Sequence, residues 1–192
     1  MVSRQIMANH HKPATAGTRN PAEYPVLGIL LGGPLHGYDM CRRLGEGIGS
    51  IWRLGKSQVY ALLAKLEREG FVMHERVGQE NLPAKNIFSL TPEGHELFKQ
   101  WATTPVPHTR DMRLEFLTKL WFAQKLSPES EKDLINEQLY ACREKVRKLR
   151  IARNACRTEI EARSLEFRLV TIEAVISWLE GLSETVGGSL RQ

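Results

Sequence analysis

Between Pro128 and Glu180 the chain contains neither a glycine nor a further proline. Apolar residues recur through this stretch in alternating steps of four and three, with Arg153 in the one polar slot: Ile135, Leu139, Cys142, Val146, Leu149, Cys156 and Ile160. Leu165, Leu169, Ile172, Ile176 and Leu179 repeat the spacing in a different phase. Such spacing is the signature of long helices that pair along one seam. The slip in phase predicts two long helices with a turn near Arg157–Ser164, rather than one rod. Charge agrees. Arg143, Lys145, Arg147, Lys148, Arg150, Arg153 and Arg157 crowd the first helix, while Glu159, Glu161, Glu166, Glu173, Glu180 and Glu184 dominate the second. Opposite flanks favour side-by-side pairing, within a subunit or across a dimer. The rival reading makes the basic run a patch that binds nucleic acid. Ser127–Pro128–Glu129 marks the start of the first helix.

Upstream, Met112–Leu126 reads as a helix apolar over most of its girth, with Met112, Leu114, Phe116, Leu117, Leu120, Trp121, Phe122 and Leu126. It has to be covered on several sides, which implies a partner. Before it, Thr103–Arg110 holds two prolines and no apolar period, as a domain boundary or hinge does.

The N-terminal part has a different grammar. Residues 1–20 show no period and read as a disordered tail. Pro25 suits the first turn of a helix carrying Val26, Leu27, Ile29, Leu30 and Leu31, which Gly32–Gly33–Pro34 stops. A second helix, about His36–Leu44, is expected to bury Tyr38, Cys41 and Leu44 and to end at Gly45, Gly47 and Gly49. A third, Lys56–Gly70, places Val59, Leu62, Leu63 and Leu66 on one face, with Gly55 or Ser57 as its N-cap and Gly70 at C′. The period then changes to two. Phe71–Val77 and Asn86–Leu90 are strand-like, joined by Gly78–Lys85, too long for a tight hairpin. Thr91–Pro92 opens a fourth helix with Leu97, Phe98 and Trp101 on its inner face.

Three helices followed by a two-stranded ribbon describe a winged helix-turn-helix. The expected fold is mainly α: an N-terminal winged helix-turn-helix with a two-stranded β wing, and a C-terminal helical, coiled-coil dimerisation domain. The expected boundaries are a tail at 1–20, the DNA-binding domain at 21–104, a linker at 105–111, the dimerisation domain at 112–186 and a tail at 187–192. The third helix can lie in a DNA major groove with its N-terminal turn toward base edges; on its own it reads equally as an amphipathic surface helix.

The candidate DNA-binding residues are Lys56, Ser57, Gln58, Ala61 and Lys65 on the groove-facing side. Gln58 has the chemistry to pair with adenine. Arg68 faces solvent or phosphate, and Arg76 and Lys85 are the basic residues of a wing expected to make few phosphate contacts. Tyr60 could donate to phosphate while its ring packs on the domain, or be a core tyrosine with a wet tip. His36 could reach a phosphate or cap the second helix. A net charge of +5 and a pI near 9.2 are compatible with a nucleic-acid partner.

Other chemistry finds little support. The six His and three Cys show no metal-ligand spacing. GxSxG, HExxH and P-loop patterns are missing, so no catalytic residue, metal or cofactor is expected. Cys41, Cys142 and Cys156 lack CxxC spacing, as in a reduced cytoplasmic protein. Cys142 and Cys156 read as small core residues, or as a redox pair across a dimer. No apolar run is long enough to span a membrane.

Four strings carry a resemblance: LGILLGGPLHGYDMCRRL at 27–44, VYALLAKLEREGFV at 59–72, FSLTPEGHELFKQW at 88–101 and LEFLTKLWFAQKLSPE at 114–129. In this order the chain resembles the PadR family of bacterial transcriptional regulators over about residues 24–182, in the subgroup with a long helical dimerisation domain that includes virulence-activator-like regulators. The resemblance implies a repressor that binds a pseudo-palindromic operator as a homodimer through residues 112–186. It also implies a small-molecule effector, as in many members. Trp52, Trp101, Trp121 and Trp178 are surfaces that could line an effector pocket or fill the core. The sequence departs from the family in two places. Gly55 stands where members often have Ser, and the wing tip is poor in Arg and Lys. The alternative from another class is a coiled-coil adaptor or scaffold whose winged domain binds protein.

Overall fold

Two hydroxyls set the frame of the chain. Thr91 caps α4 (Pro92–Thr103), accepting the Gly94 amide at 3.0 Å, and Ser127 caps α6 (Pro128–Asn154), accepting the Ser130 amide at 3.1 Å. Each is followed by proline, whose fixed φ suits the first helical turn. The computed structural model describes residues 19–79 and 82–189, and the side chains of these except at 79, 82–85 and 187–189. Of the tails expected at 1–20 and 187–192, residues 1–18 and 190–192 lie outside the described residues, while 187–189 are helical.

The winged half is built from α1 (Glu23–Ile29), β1 (Leu35–His36), α2 (Gly37–Gly47), α3 (Lys56–Arg68), β2 (Val72–Gln79), β3 (Leu82–Leu90) and α4. Tyr24, Val26, Leu27, Met40, Leu44, Ile48, Val59, Leu63, Leu66, Phe98 and Trp101 make one buried cluster. All four predicted core positions of α3 are in or beside it. At the end of α3, Gly70 adopts φ 80°, the Phe71 amide reaches Leu66 O and the Gly70 amide reaches Glu67 O. That pair of bonds satisfies two orphan carbonyls and needs a left-handed residue at Gly70.

Three expectations for this half are corrected. First, α2 buries Gly37, Met40 and Leu44, continued by Ile48, and leaves Tyr38 57% exposed and Cys41 half-buried. Met40, Leu44 and Ile48 follow a step of four that Tyr38 and Cys41 do not share. Gly45 lies within the helix, which ends at Gly47. Second, the wing strands extend further than the apolar pattern. Val72 pairs with Leu90, and the ladder continues to Gln79 and Leu82 past an irregularity between Val77 and Gln79. The connection is therefore short, not a loose tip over Gly78–Lys85. Third, β1 adds to the ribbon as an outer strand, Leu35 opposite Phe88, giving the order β1-β3-β2. A two-residue strand has no periodicity to announce it.

The chain from Thr104 onward is not a free hinge. Val106 is buried, a 3-10 turn spans Thr109–Asp111, and a π-helical turn, Met112–Phe116, leads into α5 (Leu117–Leu126). Most of the apolar girth of this stretch is covered within the chain, while Leu114 and Leu126 stay exposed. Phe122 packs edge-on against Phe98 of the winged half at 5.1 Å, while Phe116, Leu120 and Ala123 join the core of α6 and α7 (Glu159–Ser189).

The two long helices form an antiparallel hairpin. Ile135, Leu139, Cys142, Val146 and Leu149 face Leu169, Ile172 and Leu179. Arg143–Glu180 at 2.7 Å and Arg150–Glu173 at 2.9 Å bridge the flanks within one chain. The turn comes earlier than predicted, at residues 155–158. Glu161 accepts the amides of Arg157 and Thr158, and the Thr158 hydroxyl accepts the Glu161 amide. Thr158-x-x-Glu161 is a capping box, a legible start signal inside the apolar run. Cys156 consequently sits in the turn, its thiol on Arg153 O, and Ile160 is 74% exposed rather than part of the first stripe.

Candidate nucleic-acid interface

Helix α3 sends its apolar side fully into the core, and this decides what its other side presents. Lys56, Ser57, Gln58, Tyr60, Ala61, Ala64 and Arg68 are exposed. Its first turn has no acidic residue, and Gly55 enters it in extended conformation. Five of the predicted contact residues, Lys56, Ser57, Gln58, Tyr60 and Ala61, thus gather on the first two turns. Arg68 stands at the far end, roughly 18 Å along the axis. Arg76 is exposed on β2. Lys85 lies on β3 opposite Val77, and its side chain is outside the described residues.

Helix α2 supplies a second wall. His36 is its N-cap, with Nδ1 accepting the Tyr38 amide at 3.2 Å, so the capping role holds. Tyr60 lies across this N-terminus. A methyl group at Gly37 would fall 2.7 Å from the Tyr60 ring and hydroxyl, so Gly37 is what allows the approach. Tyr60 is 44% exposed, a ring packed on the domain with its edge in water. The Lys56 ammonium sits 5.3 Å from the centre of the Tyr38 ring. Sequence reasoning missed Tyr38 as a surface group. The step of four shared by Met40, Leu44 and Ile48 was the available signal.

Lys65 has partners already. Its ammonium bonds the Glu23 carboxylate and lies 3.7 Å from Glu69. Glu23 is fully buried, and its other oxygen meets Arg19 at 2.6 Å; Arg19 also reaches Glu69 at 2.6 Å. This cluster ties α1 to the back of α3. Glu23 was not anticipated, because a lone glutamate before a proline reads as an exposed first-turn residue.

The other structured recess lies between the winged half and α5. A cavity of about 560 Å³ is lined by Ile29, Leu31, Arg43, Glu46, Trp121 and Lys125, among others. Trp121 lies against α2 so closely that a methyl at Gly47 would be 2.5 Å from its ring, and Lys125 covers Trp121 at 4.4 Å. The recess therefore touches α2, the helix that precedes α3. Among the described residues no group of three or more His, Cys, Asp or Glu could hold a metal ion, and no helix is long and apolar enough to cross a membrane.

The Transcriptional regulator PadR-like family matches residues 26–100, from α1 to α4. The Negative transcriptional regulator PadR of Bacillus subtilis is 32% identical over 117 residues, which cover 61% of this chain and 64% of that protein. The Probable transcriptional regulator Rv1176c of Mycobacterium tuberculosis is 29% identical over 82 residues, 43% of each chain. The chain thus spans less than two thirds of the length of either relative. Among solved structures, Bacillus subtilis PadR in complex with operator DNA is similar at 27% identity, covering 87% of this chain and 99% of that one, with a TM-score of 0.46.

Proposed function

We propose, because residues 26–100 match the PadR-like family of transcriptional regulators, that this chain is a regulator of that kind, binds operator DNA as a homodimer and represses transcription. The observation that carries the reading is the exposed cluster Lys56, Ser57, Gln58, Tyr60 and Ala61 on the first two turns of α3. A short polar surface with two hydrogen-bonding side chains and one cation is what a groove-reading helix needs. Ser57 and Gln58 contact base edges. Lys56 and Tyr60 contact phosphate, with Arg68 and Arg76 as outlying cations. Lys65 acts through the Glu23 cluster more than through DNA, because its ammonium is already paired.

A second copy of the chain covers the outer face of the hairpin. Ile160, Phe167, Val170 and Trp178 on α7 are 44–74% exposed, as are Tyr140 and Ile151 on α6. Ile160 and Phe167 are one heptad apart, which suits a helical seam within residues 112–186. The dimer places its two α3 helices on half-sites about one helical turn, roughly 34 Å, apart or a multiple of it, on a pseudo-palindrome. An effector, where one acts, occupies the recess beside Trp121, from which it can press on α2.

The test is retardation of the DNA directly upstream of the chain's own gene at two salt concentrations, with unrelated DNA as competitor. The reading predicts specific retardation that weakens with salt. No retardation at low salt overturns it.

A further inference from the structure

The segment joining the two halves has its backbone bonded by side chains that come from the C-terminal half. The Lys119 ammonium donates to Thr104 O at 2.6 Å. The Gln138 amide takes both ends of Val106, accepting its N–H at 2.7 Å and donating to its carbonyl at 3.1 Å. Lys145 donates to Pro107 O at 2.7 Å. Lys119 and Gln138 are each 2% exposed. Lys119 also lies 3.1 Å from Glu115 and 5.0 Å from the centre of the Trp101 ring, and Glu115 accepts the Trp101 indole N–H at 2.9 Å. One polar network therefore joins α4, the linker, the π-helical turn, α5 and α6.

Burying an ammonium and an amide costs free energy unless every partner is in place. An ion pair of this kind adds little net stability over an apolar isostere. A fully bonded buried network adds rigidity and one arrangement in preference to its neighbours. The apolar contact of Phe122 with Phe98 already holds the halves together, so the polar bonds are free to choose the angle.

We propose that Lys119 and Gln138 are positioning residues that lock the linker, fix the angle of α3 to the α6–α7 hairpin and so set the half-site spacing the protein reads. The spacing clause rests on the DNA-binding dimer proposed above; the lock does not.

Two spin labels on one chain test the lock, at Ala64→Cys on α3 and Lys148→Cys on α6. The background replaces Cys41, Cys142 and Cys156, and labelled chain is diluted in unlabelled chain so that only intramolecular distances count. The unsubstituted linker should give one narrow distance. Glu115→Gln combined with Lys119→Met keeps an acceptor for Trp101 and removes the partly buried charge pair. It should widen the distribution at least twofold with the melting temperature nearly unchanged. Gln138→Leu should widen it too, with a lower melting temperature. On half-sites that the unaltered protein selects from random duplexes, inserting about half a helical turn should cost that protein tenfold or more in affinity and the double variant less than threefold. A narrow, unshifted distance in the double variant, or a broad one in the unaltered linker, overturns the lock. Equal spacing discrimination in both proteins overturns the link to spacing. Failure to select any DNA sinks the regulator reading, and the distance measurement still decides the lock.

Discussion

Replacing Glu23 by alanine probes how α3 is held, and its cost follows from the geometry. The carboxylate is 0% exposed and bonds Arg19 through one oxygen and Lys65 through the other. Removing it leaves the Arg19 guanidinium, 9% exposed, with Glu69 as its remaining carboxylate. Breaking a fully buried pair by deleting one partner costs about 3–5 kcal/mol. Here the penalty is smaller. Lys65 is 40% exposed and can turn to water, and Arg19 keeps half its bonding. A loss of about 2–3 kcal/mol is expected once solvent screening is allowed for. For a chain of this size that lowers Tm by about 4–12 °C. Urea unfolding followed by tryptophan fluorescence, with Glu23→Ala, Lys65→Ala and the double variant, gives the cycle. Lys65→Ala alone should cost about 1 kcal/mol or less, and the two changes should not add. A Glu23→Ala loss below about 0.5 kcal/mol would refute the idea that this buried anion anchors α3.

Gly37→Ala forces a methyl into the Tyr60 ring, so it should weaken operator binding while the far-UV spectrum stays helical; unchanged affinity would show that Tyr60 does not contact DNA. Thr158→Ala removes the hydroxyl of the capping box and should cost about 1 kcal/mol in urea unfolding. The amides of Arg157 and Thr158 hold the Glu161 carboxyl below its ordinary value; its contribution is complete above the unfolded pKa and disappears as pH falls through the folded one, so Glu161→Gln should flatten the acid limb of stability against pH. Burial pushes Lys119 down, against the pull of Glu115. The unfolded chain then keeps this proton to higher pH than the fold does, so stability gains from Lys119 as pH rises toward lysine's ordinary 10.5, and Lys119→Met should remove that gain from the urea midpoints.

Helix α3 is legible in the sequence because its four core residues, its cap and its terminal glycine all point to one register. The hairpin is legible for the same reason: two apolar stripes and two opposite charge flanks agree on antiparallel neighbours. The face of α2 is misread because Tyr38 and Leu44 also fit a helical period, and only the wider set including Ile48 separates the two faces. The reach of the wing depends on ladder bonds between backbones, which side chains at Gly78 or Ala84 do not encode. What holds the linker is not legible, because prolines and polar residues look the same whether solvated or held by a distant glutamine, and Gln138 stands 32 positions from Val106. At the interface, exposure of Lys56 to Ala61 follows from the pattern, whereas the pairing of Lys65 with Glu23 is a tertiary event.

The central claim is that α3 reads bases, and a footprint on the upstream DNA tests it most directly. Hydroxyl-radical protection of the backbone and 7-deazapurine interference at major-groove base edges should mark two segments about one helical turn, or a multiple of it, apart. Gln58→Ala should lose interference at a matching adenine in each segment while backbone protection remains. A single protected segment, or an unchanged base pattern with Gln58 and Ser57 both replaced, would contradict the account.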